Sequence, residues 1–105
     1  MISFVINGIA WKFEFVSPRN PALKRPDGSF AIGVCDNKIK MIYIVAGLSE
    51  DRFKKVLAHE ITHAAMYSYE VKLTVDQEEL LADIFSTYGN EIVNVTNRVF
   101  KKIKR

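Results

Sequence analysis

Apolar positions along the 105-residue chain change period once, near residue 49. Before that point they come in short runs. Ile2–Ile6 and Ile9–Val16 are rich in β-branched and aromatic residues and flank Asn7-Gly8, a pair that accepts the φ > 0 of a tight hairpin turn. In the second run Ile9, Trp11, Phe13 and Phe15 alternate with Ala10, Lys12 and Glu14, which predicts a strand with one buried face. Residues 17–29 hold Pro18, Pro21, Pro26 and Asp27-Gly28, and so read as a long loop, either one wall of a cleft or an exposed linker. Residues 30–35 and 39–45 predict two more strands, joined by a turn at Asp36-Asn37-Lys38. Four strands in succession without a helix predict a mainly antiparallel meander.

After residue 49 the apolar spacing becomes three and four. Ser49 is a suitable N-cap, Glu50 and Asp51 fall in the first turn, and Phe53, Val56, Leu57, Ala64 and Ala65 form a stripe; a helix over about 50–68 is expected. Thr74 with Gln77 three residues on is a capping box opening a second helix near 75, with Leu80, Leu81, Ile84, Phe85 and Tyr88 as its apolar side. Ile92, Val95, Val99 and Ile103 continue the helical period, and Gly89 predicts a break or bend between the two stretches. The expected fold class is α+β: an N-terminal, mainly antiparallel sheet of about four strands packed on two or three C-terminal helices, in one domain over residues 1–105.

Composition narrows the setting. With 49% hydrophobic and 26% charged residues the chain is a globular protein rather than a disordered one. Four of its positive charges lie in the last five residues, where they suit the C-terminal end of a helix; without a folded reader motif, nucleic acid is not the expected partner. Cys35 is the single cysteine, in an apolar run, and reads as an inert buried thiol in a reducing compartment. No basic n-region leads an apolar stretch, and no run approaches the ~18 apolar residues of a membrane span. A cytoplasmic protein with no membrane partner is the expectation.

The chemistry is concentrated in His59-Glu60-Ile61-Thr62-His63. Residues four apart on an α-helix differ by about 40° in azimuth and about 6 Å in height. Two imidazoles so spaced can hold one Zn²⁺, and the glutamate between them can take a proton from a zinc-bound water. A catalytic zinc needs a third protein ligand. Both histidines of the chain are already used, so that ligand is a carboxylate or, less favourably, Cys35. With the turn between the helices centred near Val71, Glu79 lies opposite His63 and Asp83 opposite His59. Glu79 is then the first choice for the metal, ahead of Asp83 and Glu78. Asp83 is placed to accept the outer N–H of His59, while Glu78, about 100° round the helix, should point elsewhere.

His-Glu-x-x-His at 59–63 followed by Glu-x-x-x-Asp at 79–83 resembles the gluzincin pattern of zinc metallopeptidases. The text around these motifs is similar to the minimal gluzincins (minigluzincins) of phages and prokaryotes, and to the phage and mobile-element metallopeptidases that cleave immunity repressors. The resemblance covers residues 56–89. It implies a zincin-like fold, with a twisted sheet packed on the active-site helix and a sheet edge that binds the peptide substrate as an added strand, for which residues 39–45 are the expected segment. It also implies zinc as cofactor, His59, His63 and Glu79 as ligands, Glu60 as general base and Asp83 as orienting carboxylate. The spacer from His63 to Glu79 is short, and no histidine is left to stabilise an oxyanion. Tyr67, Tyr69 and Tyr88 are the candidate substitutes, though core packing suits each of them too.

The expected function is therefore zinc-dependent endopeptidase action on a protein or peptide. The competing reading is a non-catalytic module in which zinc staples two helices beside a protein- or DNA-binding surface. A latent form, its cleft blocked by the 17–29 loop or the 101–105 tail, is a third.

Overall fold

The computed structural model describes residues 2–103. Strands β1 (Ile2–Ile6), β2 (Ile9–Val16), β3 (Gly33–Asp36) and β4 (Met41–Val45) precede helices α1 (Glu50–Ser68) and α2 (Val75–Ile103), an α+β arrangement. The β1–β2 hairpin turns through Asn7 and Gly8 at φ 49° and 75°, both in the left-handed region that this dipeptide tolerates.

The sheet is mixed, in the order β1-β2-β4-β3. It is mainly antiparallel, as expected, but not a meander: the outer pairs are antiparallel, while β2 and β4 run parallel, with Phe13 beside Ile42 and Phe15 beside Ile44. A parallel step needs a crossover of a dozen or more residues, and residues 17–40 supply it without a helix. That crossover is more than a linker. Asn20 caps a 3₁₀ turn, Pro21–Leu23, and Leu23 is fully buried with Val16 and Val45 in a small second core. The packing accounts for the end of β2, where Val16 is buried and Phe15 is half exposed.

On the other face, Trp11, Phe13, Ile42 and Ile44 meet Ala64 of α1, with Phe53, Val56, Leu57 and Ile61 around them. Ser49 caps α1 by accepting from the Arg52 amide. Its far end is tied to the hairpin: the Trp11 indole donates to the Ser68 hydroxyl at 2.8 Å, and the Asn7 amide to the Ser68 carbonyl at 2.9 Å. Beyond it Glu70 adopts φ 53° and the Val71 amide donates to the Met66 carbonyl, a Schellman closure that turns the chain sharply. Thr74 and Gln77 then exchange side-chain and amide hydrogen bonds of 3.1 and 3.2 Å, the expected capping box.

The break expected at Gly89 does not occur; α2 runs through it, 29 residues in all from Val75 to Ile103. The Phe85 ring lies across the bare Gly89 Cα, at a distance where an added Cβ would touch it. The basic tail begins as Lys101 and Lys102 in the last turn of α2, and its remainder, Lys104 and Arg105, lies outside the described residues. Among the described residues no helix is long and apolar enough to cross a membrane.

Candidate metal centre

Helix α1 presents His59 and His63 from successive turns of the side that α2 approaches. Their Nε2 atoms lie 3.2 Å apart. Glu79, in the second turn of α2, brings one carboxylate oxygen to 3.3 Å from His59 Nε2 and the other to 3.0 Å from His63 Nε2. Each outer nitrogen faces a different carboxylate: His59 Nδ1 is 3.1 Å from Asp83, and His63 Nδ1 is 2.6 Å from Glu78.

These partners place a proton on each outer nitrogen. An ionised carboxylate only accepts, so each Nδ1 carries the proton and donates it outward. A ring that donates from Nδ1 can offer the Nε2 lone pair to a cation, and both Nε2 atoms face the Glu79 carboxylate. The two Nε2 atoms are 3.2 Å apart and each lies 3.0–3.3 Å from a different oxygen of Glu79, so one donor atom from each of the three residues falls within 4.8 Å of the others. His59, His63 and Glu79 could therefore hold a metal ion.

Glu78 does not point elsewhere. The seam between α1 and α2 covers more than 100° of the α2 surface, so Glu78 and Glu79 both face α1 from its two sides. Ala82, buried and four residues after Glu78, marks the inner side and lets the helices close.

Glu60 is 8% exposed, on the turn between the two histidines. Burial pushes its carboxyl above the usual carboxylate range; the neighbouring His59 and His63 oppose that shift and Glu79 adds to it. Its position depends on Gly33 at the start of β3. A Cβ there would sit 2.9 Å from Val56 and 3.1 Å from the Glu60 carboxylate. Gly33 between Ile32 and Val34 is thus a close-approach glycine, legible as one because it interrupts an apolar run.

An open cleft of about 570 Å³ surrounds these groups. Its apolar wall is Ala31, Ile32, Gly33 and Val34, at the end of the crossover and the start of β3, and its rim carries Arg25, Arg52 and Lys55. Of the loop at residues 17–29 only Arg25 reaches the cleft; the wall comes from the residues that follow it. Residues 39–45, expected to be the substrate-binding edge, become instead the central strand β4, paired on both sides. The sheet edge that borders the cleft is β3.

None of the three tyrosines lines the cleft. Tyr67 turns its hydroxyl to Glu78, and burial followed by the Glu78 charge raises its pKa. Tyr69 caps the end of α1 and is exposed, as is Tyr88. Cys35 stands apart from the donor cluster. Burial, and then the charge of Glu60, pushes its thiol up to about 12, so it stays protonated and unsuited to a metal. Comparison with protein-family models, with curated proteins and with solved structures finds no match.

Proposed function

We propose that the chain is a zinc-dependent endopeptidase of the gluzincin type, with His59, His63 and Glu79 holding the metal. The observation that carries this reading is the convergence of two imidazole Nε2 atoms and a carboxylate within 4.8 Å of one another, with a buried glutamate beside them. A zinc ion bound there supplies a water acidified to a pKa of about 7 and a charge that polarises a peptide carbonyl.

The chain's own residues do the rest. Glu60 takes the proton from the attacking water and returns it to the leaving amine. The raised affinity of its buried carboxyl for a proton suits that exchange. Asp83 and Glu78 hold the two imidazoles in the tautomer that leaves Nε2 free for the metal. The edge strand β3, beside Glu60, offers its open backbone to an extended peptide laid along the cleft. Arg25, Arg52 and Lys55 favour an acidic side chain near the scissile bond.

The test is a peptide-library digest by the zinc-loaded wild type and by Glu60→Gln. Wild type is expected to cut with acidic residues enriched about the cleaved bonds. Glu60→Gln should keep zinc and lose activity by ~10²–10⁴-fold. Equal cleavage by both would remove Glu60 from the mechanism, and zinc binding without cleavage by either would leave a zinc-stapled interaction module.

A further inference from the structure

Helix α2 is longer than the domain that it braces. At about 1.5 Å per residue, its 29 residues span about 43 Å. The radius of gyration is 15.5 Å, against ~13 Å for a compact chain of this length. The exposed flank of the helix is apolar in a repeating way. Leu81, Phe85, Tyr88, Ile92, Val95 and Val99 follow one another at alternating steps of four and three, and each is between 41% and 58% exposed. That is the 3.5-residue period of a helix-pairing seam, and it lies about a quarter-turn away from the Ala82–Gly89 side, which is buried. The six side chains leave on the order of 500 Å² of apolar surface, a patch large enough to mark an interaction site and a major part of the ~800 Å² per partner of a standard interface.

We propose that this seam pairs with the same seam of a second copy of the chain, the two α2 helices running antiparallel. Charge selects both occupant and direction. Glu91 and Arg98 are exposed on one flank of the seam, seven residues apart. When the helices cross antiparallel about a centre between Ile92 and Val95, Glu91 of each copy meets Arg98 of the other, giving two symmetric ion pairs. Ile92 then packs on Val95 of the second copy and Tyr88 on its Val99. A parallel pairing would leave Glu91 and Arg98 without opposite charges and would set Lys102 against Lys102. The antiparallel one places Lys102 beside Phe85 and keeps the two basic last turns apart. The contact is isologous and closes at two copies.

Sedimentation of the full chain, with and without zinc, tests this apart from any peptidase activity. A dimer of twice the 12.0 kDa chain mass is expected in both conditions. Val95→Glu should raise the dimer dissociation constant by ~100-fold through burial of an unpaired charge, while far-UV dichroism shows the helix retained. Glu91→Arg and Arg98→Glu should each weaken the dimer by about 10-fold through paired like charges, and the double exchange should restore it. A wild type monomeric at 100 µM, a dimer indifferent to Val95→Glu, or binding to anionic vesicles in place of dimerisation would each overturn the proposal. Failure of the double exchange to rescue would overturn the antiparallel register.

Discussion

The two histidines differ in what holds them, and both supports come from α2. His59 is steered by Asp83, whose side chain is exposed; His63 is steered by Glu78, which is nearly buried, at the shorter distance of 2.6 Å. Glu60 is the residue with most at stake in its protonation. Burial raises its carboxyl above the ordinary value near 4.5. A group whose folded pKa is raised favours the folded state fully below its unfolded pKa, and that contribution is lost as pH rises through the folded value. In metal-free protein the charged Glu60 therefore costs stability at pH 7 and not at pH 4. Glu60→Gln should raise the melting temperature in chelator at pH 7, and the gain should vanish toward pH 4. An equal gain at both pH values would show that ionisation is not its source. Much at this scale could be read from the chain: four-residue spacing and a short turn put Glu79 opposite His63 and Asp83 opposite His59. Glu78 could not, because a helical wheel gives azimuths but not the width of the seam between two helices.

At the scale of elements, α2 is the part on which the centre depends. Its start is set by the Thr74–Gln77 box and its separation from α1 by Ala82, so three carboxylates arrive at two imidazoles from one helix. Removing Glu78 leaves His63 Nδ1–H without its acceptor and frees the ring to turn. Glu78→Ala is expected to weaken zinc binding by ~10–100-fold in a competition titration with a chelator, while Glu78→Gln, which can still accept, should lose less. Equal affinity of Glu78→Ala and wild type would contradict the orienting role. The helix boundaries, caps and hairpin turn were legible because each rests on local chemistry. Strand order was not. Nothing local distinguishes a crossover built on a 3₁₀ turn and one buried leucine, Leu23, from an exposed linker, and so β4 was placed at the edge instead of β3. Gly89 misled for a related reason: its bare Cα makes room for Phe85 rather than ending the helix.

The whole molecule is a small sheet and a helix pair with a cleft between them, extended by a helix that projects past its support. Its principal extents, 54 × 31 × 28 Å, reflect that projection. The cleft is built from three remote parts of the chain: the crossover and β3, the middle of α1 and the first turns of α2. Only the last two carry a sequence pattern that points to chemistry; the first is recruited by packing, through Gly33 against Glu60 and Leu23 beneath the sheet. Everything proposed for this cleft rests on a metal ion among His59, His63 and Glu79. Zinc content is its most direct test. Native mass spectrometry of the wild type reconstituted with excess zinc and then desalted is expected to show one zinc per chain, with Glu79→Ala and His63→Ala each losing it. A wild type that retains no zinc, or one whose zinc survives both substitutions, would contradict the centre described here.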